Sequence, residues 1–162
     1  MRLEDIRRVD PQRMYDAIRD FPEQWRRGRE LARDFDPGFT LEGKDHLIVA
    51  GMGGSAIGGD LLRTLVADTA RLPVTVVRHY QLPGFVTERS VVIASSYSGN
   101  TEETLAAFEE ARARGATVVC VASGGELLRR ARAEGLPYLQ IPGGLQPRAA
   151  LGYSFTALLT IA

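Results

Sequence analysis

Between residues 46 and 141 the chain alternates short apolar runs with segments of helical spacing, and this alternation narrows the choice of fold more than any other feature. The runs cover residues 46–50, 74–77, 91–94, 117–121 and 138–141, and the inner ones are almost wholly valine, isoleucine and alanine. Strands that are apolar on both faces need cover on both sides of the sheet, and helices lying between successive strands supply it through right-handed crossovers. The expected fold is therefore α/β, a doubly wound parallel sheet of about five strands flanked by helices. Helical spacing predicts crossover helices over residues 56–66 and 101–114 and a third from Leu127, where Ser123-Gly124-Gly125-Glu126 has capping-box spacing. Ahead of the sheet, Asp10-Pro11 predicts a helix over 11–20, and a second runs through Trp25 and Leu31 to a stop at Asp36-Pro37-Gly38. Residues 1–37 then form leading helices packed on a domain spanning 38–162. Pro147 opens a last, apolar helix that is either a terminal element on its own sheet or the start of a longer chain.

Composition excludes several partners. Twenty basic residues balance twenty acidic ones and the pI is near 6.7, so no global field attracts nucleic acid or an anionic membrane. The first residues lack an apolar signal core, and no run approaches the roughly 18 apolar residues of a membrane span. A cytoplasmic protein with a small-molecule partner is expected. Cys120 lies within an apolar run and reads as a buried thiol; His46 and His79 have no metal-ligand spacing, so no metal is expected. Neither a G-x-x-x-x-G-K-[ST] loop nor a G-x-S-x-G elbow occurs.

Ligands of open α/β sheets bind outside the carboxyl ends of strands, which directs attention to the loops after the first and third runs. The first reads Gly51-Met52-Gly53-Gly54-Ser55-Ala56, where missing side chains let backbone N–H groups approach an anion at a helix N-terminus. It also satisfies the loose dinucleotide fingerprint, but the second strand ends in Arg78-His79-Tyr80 rather than in the acidic residue that would hold a ribose. The second loop, Ser95-Ser96-Tyr97-Ser98-Gly99-Asn100-Thr101, places the hydroxyls of Ser96, Ser98 and Thr101 beside a glycine and a new helix. Plain helix capping explains one hydroxyl and not three; a phosphoryl group held by neutral donors and a helix dipole explains them together. Glu102 and Glu103 suit the first turn of that helix on dipole grounds alone.

Taken with Pro147-Arg148-Ala149-Ala150-Leu151-Gly152, these motifs resemble the sugar isomerase (SIS) fold and, more narrowly, the amino-terminal half of the bifunctional phosphoglucose/phosphomannose isomerase family. The resemblance implies that Gly54, Ser55, Ser96, Ser98 and Thr101 surround the phosphate of an aldose or ketose 6-phosphate. It implies that Arg148 lies near C1 and C2, stabilising a cis-enediolate as glucose 6-phosphate and fructose 6-phosphate interconvert, with mannose 6-phosphate a further candidate substrate. No cofactor is implied. The family carries two SIS domains, and its glutamate base, a histidine and a lysine come from the second or from a partner subunit; none maps onto this sequence. The expected partner is accordingly a carboxy-terminal SIS domain or a homodimer mate, and the chain alone is expected to bind sugar phosphates but turn them over weakly or not at all. Two alternatives stand beside this reading: a non-catalytic sugar-phosphate sensor, and a self-contained single-domain isomerase that completes its site by oligomerisation.

Overall fold

The computed structural model describes residues 3–162. Three leading helices, α1 (Leu3–Val9), α2 (Met14–Arg19) and α3 (Phe21–Leu31), precede the alternating units β1 (His46–Gly51), α4 (Gly53–Leu65), β2 (Val74–Val77), β3 (Ser90–Ser95), α5 (Glu102–Ala113), β4 (Thr117–Ala122), α6 (Gly125–Ala133) and β5 (Tyr138–Gln140). A 3₁₀ turn, Pro147–Ala150, then leads into α7 (Leu151–Ile161). The strands form one parallel sheet ordered β2-β1-β3-β4-β5.

Pleating sends alternate residues of each central strand into opposite core layers. Ile48, Ala50, Val92, Ala94, Val118 and Cys120 meet α5 and α6 through Ala107, Phe108, Ala111, Leu127 and Leu128. Leu47, Val49, Val91, Ile93, Val119 and Val121 meet α4 and α7 through Leu62, Ala157, Leu158 and Ile161. The apolar runs lack polar alternation because both of their faces are buried. Outside this second layer α3 packs on α7, with the rings of Trp25 and Phe155 5.3 Å apart. Among the described residues no helix is long and apolar enough to cross a membrane.

Three local expectations are corrected. The helix expected over 11–20 begins at Met14, because residues 11 and 12 turn and Arg13 takes a left-handed conformation (φ 55°). Asp10 still caps it, its carboxylate accepting from the N–H groups of Met14 (2.9 Å) and Tyr15 (2.8 Å). The following helix stops at Leu31, ahead of Asp36-Pro37-Gly38. The capping box at Ser123 does not form: that hydroxyl donates to the Tyr97 carbonyl at 2.6 Å, and the first turn of α6 is capped from another loop.

Two consequences are measurable. Phe108 has no solvent exposure, so Phe108→Ala should destabilise the chain by about 3–5 kcal/mol, read by urea unfolding. Burial, reinforced by the charge of Glu134 and opposed by Arg112, pushes the Cys120 thiol up to about 12, which leaves almost no thiolate at neutral pH. Alkylation at pH 8 should proceed only as fast as the chain unfolds; rapid labelling of the native chain would contradict the buried placement.

Candidate functional site

The direction of strand addition reverses between β1 and β3: the β1–α4–β2 unit builds one way and the β3–α5–β4 unit the other. Such a reversal separates the loops at the carboxyl edge and leaves a crevice between them. Two helix N-termini, those of α4 and α5, open onto that crevice, and their unpaired first-turn N–H groups carry partial positive charge.

The two loops are held in register by backbone packing. Gly51 pairs with Ser95 across the sheet, and a Cβ on Gly51 would lie 2.7 Å from the Ser95 carbonyl oxygen. The Tyr97 N–H donates to Ser55 Oγ at 3.2 Å, joining the hydroxyl loop to the glycine loop. Within the hydroxyl loop, Ser96 Oγ accepts from the Gly99 N–H (3.1 Å) and lies 2.8 Å from Thr101 Oγ1, while Ser98 Oγ accepts from the Asn100 N–H (3.2 Å). All three serines thus use a lone pair on a backbone donor, which leaves the Ser55 and Ser98 protons free to be donated, while Ser96 and Thr101 share one hydroxyl proton between them. Ser55 and Ser96 are buried, Thr101 is half-buried and Ser98 is exposed.

A third segment closes on the other two. A Cβ on Gly54 would lie 3.0 Å from the Pro147 carbonyl oxygen and 3.3 Å from the Arg148 Cα, so only glycine lets the α4 N-terminus seat against the Arg148 turn. Tyr97 Oη accepts from the Leu145 N–H at 2.8 Å, tying the approach to that turn to the hydroxyl loop. Arg148 is exposed and has no hydrogen bond or ion pair among the described residues. Gly54, Ser55, Ser96, Ser98, Thr101 and Arg148, drawn from three distant stretches of sequence, therefore gather along one edge of the sheet.

Three residues of this region were not singled out from the sequence. Tyr97 is the hub, bonded by its N–H to Ser55, by its carbonyl to Ser123, and by its hydroxyl to Leu145. Asn100 is the missing cap of α6, its Oδ1 accepting from the Glu126 N–H at 2.9 Å. Gly125 (φ 72°) abuts Gly99 (φ 73°): a Cβ on Gly99 would sit 1.9 Å from the Gly124 oxygen, and one on Gly125 would sit 2.3 Å from the Ser98 oxygen. Tyr97 and Asn100 lie inside the motif, but their roles depend on loops that only folding brings near.

Other polar groups lie outside this cluster. Tyr80 Oη donates to Glu102 Oε2 at 3.3 Å, and the nearby charge of Glu103 holds the phenol above its ordinary pKa. Lys44 sits at the opposite, amino-terminal edge, donating to Thr117 Oγ1 (2.7 Å) and the Glu88 carbonyl (3.2 Å). Among the described residues no three His, Cys, Asp or Glu side chains gather as a metal site. A cleft of about 740 Å³ opens behind the Arg148 turn, between the leading helices and residues 144–149, with Asp16, Gln24 and Tyr153 in its walls.

Comparison with known proteins places this geometry. Residues 40–133 match the SIS domain family. The bifunctional phosphoglucose/phosphomannose isomerase of Caldicellulosiruptor bescii is 46% identical over 148 residues, covering 91% of this chain and 44% of that protein. The D-glucosamine-6-phosphate 4-epimerase of Sulfolobus acidocaldarius is 37% identical over 144 residues, covering 86% of this chain and 44% of that protein. The chain thus spans less than half the length of these curated relatives. Among solved structures, the C-terminal domain of glucosamine-fructose-6-phosphate aminotransferase from Francisella tularensis shares the fold, with a TM-score of 0.73 at 17% identity over 91% of this chain and 46% of that one.

The Gly99–Gly125 contact yields a sharp expectation. Gly99→Ala adds a side chain at positive φ and into a carbonyl, so it should destabilise the chain by about 3 kcal/mol in denaturant melts. An alanine variant of unchanged stability would refute the interlocked arrangement.

Proposed function

The chain belongs to the SIS domain family, and from that premise we propose that it is the sugar-phosphate-binding half of an aldose–ketose isomerase acting on hexose 6-phosphates. The supporting observation is the bonding of the hydroxyls: Ser55 and Ser98 each accept a backbone N–H, so their protons are available to an anion at the N-termini of α4 and α5. Gly54, Ser55, Ser96, Ser98 and Thr101 form the phosphate cradle. In the Ser96–Thr101 pair, a proton donated from Ser96 to Thr101 leaves the threonine hydroxyl to face a phosphoryl oxygen.

Arg148 serves the other end of the sugar. In the ring-opened aldose a base removes the C2 proton; the C–H electron pair becomes the C1–C2 double bond, and the C1 carbonyl oxygen gains negative charge. The O2 hydroxyl proton passes to O1, and the carbon proton returns at C1 as the O2 electron pair forms the carbonyl at C2. A guanidinium that is already unpaired and always charged stabilises the enediolate without having to break another bond. The base belongs to the remaining length of the protein or to a partner subunit, either a further SIS domain or a second copy of the chain.

The resemblance to a 4-epimerase favours one second reading, in which the same phosphate cradle serves inversion at C4 instead of isomerisation. Proton NMR of glucose 6-phosphate with the chain in deuterated buffer tests both. The expected result is line broadening of the sugar without loss of the C2 signal, and loss of that signal once the full-length protein is used. Exchange with this chain alone would mean it carries its own base, while a changing C4 signal with C2 intact would establish epimerisation. Ser98→Ala should weaken sugar-phosphate binding by about 1–3 kcal/mol in calorimetric titration, and unchanged affinity would sink the cradle assignment.

A further inference from the structure

Gln24 lies on α3, outside the sheet, yet it is 4% exposed and all its hydrogen bonds go to backbone groups. Burying an amide is costly unless its donors and acceptor are satisfied, so the bonding pattern shows what the residue is for. Its Nε2 donates to the Ala149 carbonyl at 2.7 Å and to the Ala17 carbonyl at 3.3 Å; its Oε1 accepts from the Gly152 N–H at 3.2 Å. Two of these partners lie 125 and 128 residues away, on either side of the junction between the 3₁₀ turn and α7. Gly152 makes the approach possible, since a Cβ there would meet Gln24 Cβ at 2.7 Å.

The Arg148 turn is short, and Ala149 and Ala150 are its buried residues. It is four residues long, and the bond from the Ala149 N–H to the Gln146 carbonyl (2.8 Å) anchors its start. The body of α7 is already fixed by buried Tyr153, Ala157, Leu158 and Ile161, so what Gln24 adds is local: it holds the Ala149 carbonyl, one residue beyond Arg148, and the Gly152 N–H. Gly54 bears on the same turn from the opposite side, at the Pro147 carbonyl and the Arg148 Cα. We propose that Gln24 is a positioning residue for Arg148, holding its turn against the glycine loop so that the guanidinium is set relative to the phosphate cradle. This assignment rests on the sugar-phosphate reading above. It makes the leading helices part of the site: α3 reaches through to fix the one cation at the sugar's reacting end, and α2 supports the amide from behind through Ala17.

The test compares two ligands by calorimetric titration: 5-phosphoarabinonate, whose carboxylate carries charge where the enediolate would, and inorganic phosphate, which reports the cradle alone. Gln24→Met keeps length and removes the hydrogen bonds. It should weaken 5-phosphoarabinonate about tenfold and change phosphate binding by less than about twofold, as displacement of a single charged group predicts. In an Arg148→Ala background the same substitution should have no further effect, because the two act as one unit. Gly152→Ala, which displaces Gln24 without altering it, should reproduce the selective loss and provides the test if Gln24→Met fails to fold. Equal weakening of both ligands, or additive effects with Arg148→Ala, would overturn the assignment of Gln24 and leave the functional reading standing. An unsubstituted chain that binds neither ligand overturns the sugar-phosphate reading and this assignment together.

Discussion

At the carboxyl edge of the sheet, hydroxyl groups accept hydrogen bonds from the backbone before any ligand arrives, and the geometry of the site depends on this ordering. The Tyr97 N–H on Ser55, the Gly99 N–H on Ser96 and the Asn100 N–H on Ser98 fold the loops into shape and at the same time orient the hydroxyl protons. Loop conformation and donor direction are thus one property. Preorganised donors need not rearrange when an anion binds, which is the condition under which neutral hydrogen bonds are most effective in a partly dehydrated crevice. The helices behind them add partial charge at the same place because the strand order reverses between β1 and β3.

The proposed anion site carries very little formal positive charge. Glu102 and Glu103 lie in the first turn of α5, and Arg148 is the cation that the third segment brings to the edge. In the proposed role, a cradle of neutral donors is less sensitive to ionic strength than a cluster of lysines, and the fixed guanidinium of Arg148 keeps a charge that developing negative charge can meet. Under the proposed function, that division separates recognition from chemistry along the length of one sugar phosphate.

Much of this was legible in the sequence, and the limits were physical. The β-branched runs of β1, β3 and β4 announced a sheet buried on both faces, since no competing structure satisfies such runs. The glycine and hydroxyl loops were legible because unusual residue types are needed wherever a backbone approaches an anion. Contacts between distant loops were not. Ser123-Gly124-Gly125-Glu126 has the spacing of a capping box, but Asn100 from a neighbouring loop reaches the α6 N-terminus and Ser123 turns to Tyr97. Gln24 left only a faint trace, a polar residue three positions after Phe21 and four before Gly28 on the face of α3 that packs inward. Its partners, Ala149 and Gly152, have no side-chain chemistry to reveal the pairing.

The position of Lys44 bears on how such a protein can be regulated. It is the only lysine in the chain, and it is fastened between Thr117 and the Glu88 carbonyl at the edge of the sheet opposite the crevice. Acetylation and other acylations of lysine side chains act by neutralising a cation or blocking a donor. On this chain they can reach one ε-amino group, and it lies at the wrong end of every strand to touch the glycine and hydroxyl loops. The hydroxyls, helix ends and arginine gathered at the carboxyl edge offer such reagents no lysine amine, so acylation of this chain's lysine leaves that edge chemically unaltered.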